Sequence, residues 1–166
     1  DDACARLFAM LAESERPLIY AGGGVINGNA TKPMRHFASE YGIPVVTTLM
    51  ALGASDTKHP LSLHMLGMHG TASANYAVED CDFLIAIGAR FDDRVAGDPE
   101  NFAPNAKHIA HFDVDVSEIG KVKRVDWHQV GVLSRDLHDL LAYGKRTKFV
   151  SDCSTWHDEI SALKEK

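Results

Sequence analysis

The residues best equipped for chemistry lie together in the run Gly88-Ala89-Arg90-Phe91-Asp92-Asp93-Arg94-Val95. Two guanidinium groups and two carboxylates fall within five positions there, interrupted only by Phe91. A guanidinium fork pairs with a carboxylate or phosphate through two parallel hydrogen bonds, so arginines at such a place suit an anionic ligand. Immediately upstream, Phe83-Leu84-Ile85-Ala86-Ile87 has the length and composition of a buried parallel strand. Gly88 stops it where the backbone must turn or approach something closely. In an open α/β sheet, ligands bind in the crevice beyond the carboxyl ends of the strands. The charged run is therefore a site candidate, set against a solvated loop whose charges neutralise one another.

Other strand ends carry further candidates. Gly22-Gly23-Gly24 follows the extended run Leu18–Ala21, and three residues without Cβ let backbone N–H groups approach a phosphate or a flat ring. A tight turn imposed by close helix packing is the competing reading. Thr48 and Leu49 end a second strand, and the segment Leu66-Gly67-Met68-His69-Gly70 adds glycines beside Met68 and His69; Met68 by itself reads as core. Asp113 and Val114 end another strand, and Asp113 suits ribose or adenine hydroxyls by acid-to-diol logic. So many small or polar strand ends predict an extended dinucleotide laid across the top of the sheet. NAD fits poorly. Gly28 falls one residue late for a G-x-G-x-x-G turn, and Thr47-Thr48-Leu49-Met50 stands where the ribose-binding acid is expected, about 20 residues on.

The nine histidines give no metal-ligand spacing: His108 and His111 fall on opposite faces of a strand, and His64 and His69 flank a glycine loop. No protein-ligated metal is expected. Cys4, Cys81 and Cys153 are far apart and form no C-x-x-C pair, which fits a reducing compartment. A net charge of −6 without a Lys/Arg run excludes a nucleic-acid surface, and the apolar runs are too short to span a membrane. Residues 1–12 open on two aspartates and not on a basic segment, so no signal peptide is expected and a cytoplasmic location is. The missing initiator methionine suggests a processed chain or a fragment of something longer.

The elements that must position these groups can be traced in order. Asp2 can cap a first helix whose apolar face is Cys4, Leu7, Phe8 and Leu11, and Arg16-Pro17 ends it. After Leu18–Ala21 and the glycines, a helix over Thr31–Tyr41 carries Pro33 in its first turn and is closed by Gly42. Ile43–Thr48 is the second strand, completing a right-handed βαβ unit. Leu49–Gly70 reads as a long glycine-containing segment, followed by a short helix around Ala72–Val78. Lys107–Asp115 is a strand, 116–127 a helical turn and loop, and Val130–Leu133 a short final strand. Ser134 then caps a helix with Leu137, Leu140 and Leu141 inward. Thr147–Cys153 reads as a linker before a last helix, from Thr155 on, that buries Trp156, Ile160 and Leu163. This alternation predicts an α/β fold: a doubly wound, mostly parallel, Rossmann-like sheet of five or six strands flanked by helices. Residues 1–166 form a single domain, with its core at about 15–145 and a C-terminal linker and helix at 147–166. Architecture of this kind assigns no function by itself.

Several stretches resemble one family. Pro17–Gly28, Thr47-Thr48-Leu49-Met50 with Gly53, His59-Pro60-Leu61-Ser62, Leu66-Gly67-Met68-His69-Gly70-Thr71, Asn75-Tyr76-Ala77, Gly88–Val95 and Glu118-Ile119-Gly120-Lys121 look like the central domain of the acetohydroxyacid (acetolactate) synthase large catalytic subunit. The likeness runs from about residue 15 to 141. Gly-Ala-Arg-Phe-Asp-Asp-Arg-Val together with Leu-Gly-Met-His-Gly-Thr separates this group from its thiamine-enzyme cousins. The resemblance implies a thiamine-diphosphate carboligase that joins pyruvate to pyruvate or 2-oxobutyrate with loss of carbon dioxide, the first common step towards valine, leucine and isoleucine. Such a chain has three α/β domains; the outer two bind thiamine diphosphate and magnesium, and the middle one binds FAD, which takes no net redox part.

Carried over by position, the resemblance implies FAD contacts at Gly22, Gly23, Gly24, Thr48, Leu49, Leu66, Gly67, Met68, His69, Gly88, Ala89, Arg90 and Asp92, with Asp113 and Val114 near the adenosine end. Arg94 would face the acceptor ketoacid in the active-site channel, and no catalytic residue belongs to this segment. Small-molecule 2-ketoacids, a homo-oligomer and a regulatory small subunit are the implied partners. Two positions depart from the pattern: Val122 stands where asparagine usually follows Lys121, and the usual Gly-Asp after the last strand reads Gly131-Val132. Both changes remove polar groups from the adenosine side. The alternatives are a non-catalytic nucleotide-binding or regulatory module and an NAD-dependent oxidoreductase domain.

Overall fold

A computed structural model describes residues 2–48, 51, 53–55, 58–65, 71–89, 102–115, 119 and 125–165. Among them the apolar runs form six strands: Pro17–Ala21 (β1), Val45–Thr47 (β2), Ser62–Met65 (β3), Phe83–Ile87 (β4), His108–Asp113 (β5) and Trp127–Val130 (β6). Every pairing is parallel, in the order β3-β2-β1-β4-β5-β6. β1 and β4 are buried along their whole length, as parallel strands covered on both faces must be. The chain order reverses between these two strands, which makes their carboxyl ends the switch point of the sheet.

Helices Asp2–Glu13 (α1), Gly23–Asn27 (α2), Thr31–Tyr41 (α3), Ala72–Asp80 (α4), Leu133–Thr147 (α5) and Ser154–Lys164 (α6) provide the covering layers. Side chains alternate along each strand, so each strand feeds two cores. Ile19, Ile85 and Phe112 meet Leu7 and Phe8 of α1, Phe37 of α3 and Leu137 of α5 on one face. Leu18, Leu84 and Ile109 meet Ala74 and Val78 of α4 and Trp156 and Ile160 of α6 on the other. Gly42 closes α3 in the left-handed conformation (φ 64°), with its N–H turned back to Ala38 and Ser39; this turn is the kind glycine takes without a Cβ penalty. Among the described residues no helix is long and apolar enough to cross a membrane.

The structure departs from the sequence reading in both strands and helices, the short helix Gly23–Asn27 included. β3 lies inside the segment read as a connection. It is four residues long, its His64 has a positive φ of 67°, and its register against β2 shifts, so no clean alternation marks it. The final strand is Trp127–Val130 and not Val130–Leu133, because Gly131 (φ 156°) breaks the apolar run and its N–H bonds to the Asp113 carbonyl. Leu133 accordingly opens α5, and Ser134 sits inside the first turn instead of capping it; the N-cap is Val132, which offers no side-chain acceptor. Asp2 likewise lies in the first turn of α1.

α6 closes the opposite, amino-terminal end of the sheet. Trp156 is fully buried and donates its Nε1–H to the Pro17 carbonyl at 2.8 Å. Arg16 holds Glu159 through two bonds of 2.9 and 3.0 Å, and Lys164 reaches the Pro60 carbonyl at 2.8 Å.

Candidate functional site

The carboxyl ends of β2, β1, β4 and β5 bring together Thr48, the triple glycine, Gly88-Ala89 and Asp113-Val114. The glycines have a tighter structural role than phosphate approach. Gly22 N–H bonds to the Ile87 carbonyl at 2.9 Å, and Gly24 N–H to the Gly88 carbonyl at 2.9 Å. A Cβ on Gly22 would overlap Ala89 and the Gly88 oxygen, and one on Gly24 would sit 2.8 Å from the Gly88 Cα. Gly88, at φ 62°, faces the same contact from β4. These residues lack Cβ because two backbones touch, and the expectation that Gly22 and Gly24 aim their N–H groups at a ligand is corrected accordingly. The competing reading of the glycines as a packing turn describes them better.

At the end of β2, Thr47 is buried and its Oγ1 has no partner among the described residues. Thr48 continues the ladder through its N–H to the Ala21 carbonyl at 3.0 Å. At the end of β4, Gly88 N–H bonds to the Phe112 carbonyl at 2.9 Å, and Ala89 is buried.

β5 supplies the acid. Asp113 is 8% exposed; its Oδ1 accepts the Asp115 N–H at 3.1 Å, and its backbone carbonyl accepts the Gly131 N–H at 3.0 Å. Beside it Val114 is 66% exposed and Asp115 is an exposed carboxylate, and Val132, after Gly131, is 49% exposed. Beyond β6, Asp136 lies in the first turn of α5 with its carboxylate turned towards Gly131: a Cβ on that glycine would be 3.4 Å from Oδ2. Burial, with the Asp139 carboxylate adding to it, pushes the Asp136 acid above its ordinary range. Its Oδ2 is buried without a partner among the described residues.

Leu49, Leu66, Gly67, Met68, His69, Arg90, Asp92 and Arg94 lie outside the described residues, as do Lys121 and Val122. Two side chains near the crevice escaped the sequence reading. His111 is fully buried on β5, and its Nε2 lies 2.8 Å from the Ala89 carbonyl oxygen and 3.5 Å from Asp113 Oδ2. Its signal was available: an ionisable residue inside a parallel strand covered on both faces must find a partner there. Asp136 was invisible because its place beside Gly131 depends on where β6 ends.

A surface pocket lies elsewhere, about 240 Å³ beside Glu15, Arg16, Asp152 and Glu159. It opens at the amino end of β1, and its one guanidinium is already bound by Glu159, so we place no chemistry there. Among the described residues no group of His, Cys, Asp or Glu is placed to hold a metal ion. Burial raises the thiols of Cys4, Cys81 and Cys153, which leaves them poor nucleophiles.

Comparison with known proteins agrees with this geometry. A family model described as the thiamine pyrophosphate enzyme central domain matches residues 4–140. The chain is 51% identical over 156 residues to a probable acetolactate synthase large subunit of Methanocaldococcus jannaschii, covering 94% of this chain and 26% of that protein. It is 49% identical over 158 residues to an acetolactate synthase large subunit of Corynebacterium glutamicum, covering 95% of this chain and 25% of the relative. A chloroplastic acetolactate synthase 1 of Oryza sativa subsp. japonica is 45% identical over 163 residues, 97% of this chain and 25% of the relative. The chain thus spans about a quarter of the length of the curated relatives it matches. With a parallel sheet of switch-point order and a match over most of its length, the chain belongs to the family of thiamine pyrophosphate enzyme central domains.

Proposed function

We propose that this chain is the FAD-holding central domain of an acetolactate synthase, which condenses two pyruvates, or pyruvate and 2-oxobutyrate, with release of carbon dioxide. The observation that carries the reading is the strand order, under which Thr48, Gly22–Gly24, Gly88-Ala89 and Asp113-Val114 are the carboxyl ends of the four adjacent strands β2, β1, β4 and β5. An extended dinucleotide needs such a line of strand ends to lie across, and a mononucleotide does not.

The donor set suits an adenine dinucleotide. Asp113 presents one acid where hydroxyls would lie, and Val114 and Val132 present exposed apolar surface where a flat ring would lie. The missing acid after β2 favours FAD over NAD. In this reading Leu49, Leu66–His69, Arg90 and Asp92 complete the flavin contacts, and Arg94 faces the ketoacid carboxylate, which a guanidinium fork matches. Thiamine diphosphate with magnesium, held outside this chain, supplies the carbanion chemistry. The domain's own residues bind and orient FAD and wall the substrate channel. A cytoplasmic homo-oligomer with a regulatory small subunit completes the proposal.

The test is a titration of the protein expressed from the whole reading frame with FAD and with NAD, followed by flavin fluorescence and thermal shift. FAD is expected to bind more tightly; tighter NAD binding overturns the assignment. In the same protein, Arg94→Ala should weaken ketoacid use more than flavin retention. The 166-residue chain alone, given thiamine diphosphate, magnesium, FAD and pyruvate, should make no acetolactate; turnover above a boiled control would mean that the catalytic machinery lies here.

A further inference from the structure

His111 occupies a position where an apolar side chain would cover the sheet as well. It sits on β5 opposite Ala86 of β4, fully buried, with Ile109 and Asp113 on the same face. An imidazole there is tolerated only with a partner, and the partners are informative. Nε2 lies 2.8 Å from the carbonyl oxygen of Ala89, the residue at the root of the charged run. A carbonyl only accepts, so Nε2 carries the hydrogen. The second acceptor near it is Asp113 Oδ2 at 3.5 Å, while Oδ1 of the same carboxylate takes the Asp115 N–H. A single N–H therefore stands between the ends of two adjacent strands, both of which line the crevice.

We propose that His111 is a positioning residue for the dinucleotide: it pins the Ala89 carbonyl and steadies the Asp113 carboxylate, so that the β4 and β5 ends meet one ligand in fixed register. The proposal rests on the reading of this crevice as the FAD site. Without the Nε2–H, the Ala89 carbonyl loses its donor from β5, leaving the Gly88 N–H to the Phe112 carbonyl as the backbone tie there, and the Asp113 carboxylate loses the polar hydrogen that faces it at 3.5 Å. The loss of one well-placed hydrogen bond corresponds to about tenfold in affinity.

Two substitutions matched in polarity but different in reach separate this role from that of a mere core histidine. In the protein expressed from the whole reading frame, His111→Gln keeps an N–H near the place of Nε2, and His111→Asn holds it one bond short. FAD affinity, read by flavin fluorescence, should fall about tenfold in His111→Asn and stay within about threefold of wild type in His111→Gln. FMN, which lacks the adenosine that Asp113 would meet, should lose less than FAD in the Asn variant. Equal affinities in the two variants, or lower melting temperatures with unchanged FAD affinity, overturn the proposal. A measurement free of any folding defect uses wild-type protein labelled with 15N-histidine: the His111 Nε2–H resonance should shift when FAD is added, and a stationary signal overturns the proposal. Failure of the wild-type protein to bind FAD at all overturns the FAD reading first, and this inference with it.

Discussion

Gly22→Ala isolates the contact that joins the two central strand ends. Gly22 has φ −112° and ψ −177°, a conformation alanine adopts freely, so any penalty comes from space alone. The new methyl carbon would lie 2.8 Å from the Ala89 Cβ and closer still to the Ala89 Cα and the Gly88 oxygen, where ordinary contacts begin at 3.4 Å. The neighbours are mainly backbone and cannot swing aside. Relief requires the turn after β1 to part from the end of β4, which stretches the Gly22-to-Ile87 and Gly24-to-Gly88 hydrogen bonds. Overpacking of this kind costs about 1–3 kcal/mol, and each weakened hydrogen bond about 1 more. A total of about 3–5 kcal/mol lowers the melting temperature by about 6–20 °C in a domain of this size.

The assay is urea and thermal unfolding followed by circular dichroism, with Gly53→Ala as the control. Among the described residues a Cβ on Gly53 meets nothing within 4 Å, so the expected cost of that variant is the strain of its φ of 95°, about 1–2 kcal/mol. If Gly22→Ala is destabilised by less than the control, the close-packing account fails. If it folds normally and loses only FAD affinity, the glycines act by ligand approach after all.

Other perturbations probe the remaining contacts. Trp156→Phe removes the Nε1–H bond to the Pro17 carbonyl and leaves that oxygen unsatisfied in the core, for about 1–3 kcal/mol in urea unfolding; a smaller loss would mean that water reaches the carbonyl. Val132→Asp fills the vacant N-cap of α5, whose φ of −78° and ψ of 112° suit a cap, and should add about 1 kcal/mol to the ligand-free protein. If the new carboxylate also reaches the adenosine hydroxyls, FAD should bind about tenfold tighter, and an unchanged affinity places that contact elsewhere. Asp136 has a folded-state pKa above its ordinary value, so the folded state holds its proton longer than the unfolded state and stability falls as pH rises through the ordinary Asp range and up to the folded value. Asp136→Asn should gain on the wild type across that window and run parallel to it above; a gap that stays constant from acid to neutral pH refutes the assignment.

Much of the fold was legible because burial on both faces leaves a strong mark. Phe83–Ile87 and Leu18–Ala21 are unbroken apolar runs, and the spacing of Met34, Phe37, Ala38 and Tyr41 marks α3. β3 was missed because Ser62-Leu63-His64-Met65 holds its place by pairing with β2 and by the Thr71 hydroxyl bonded to the Leu63 carbonyl, and neither leaves a periodic trace. The end of β6 was misread because Val130-Gly131-Val132-Leu133 is apolar throughout, and the break depends on a hydrogen bond from Gly131 to a strand far away in sequence. The site divides in the same way. The glycines and Asp113 were visible by type, but the task of Gly22 and Gly24 is set by Gly88, more than sixty positions on, and no local pattern records that.

These same contacts determine where recognition can vary in this crevice. The β1–β4 junction is backbone against backbone, with Gly22, Gly24 and Gly88 in mutual contact, so it can set position but offers no side chain with which to discriminate among ligands. The β2 end offers hydroxyls only, in Thr47 and Thr48. On the far side, Val114 and Val132 are exposed and uncharged. Among the described residues at the carboxyl ends of β1, β2, β4 and β5, the carboxylates are those of the exposed Asp115 and of Asp113, and of these Asp113 is nearly buried. It is held by the Asp115 N–H and faced by His111. A charge-assisted hydrogen bond is roughly twice as strong as a neutral one, and a nearly buried acid with few protein partners retains acceptor capacity for a ligand. In the FAD reading proposed above, Val132 offers no acid, so polar selectivity at the adenosine end would fall to Asp113 and Asp115, and the neighbouring valines would contribute affinity only through the area they cover.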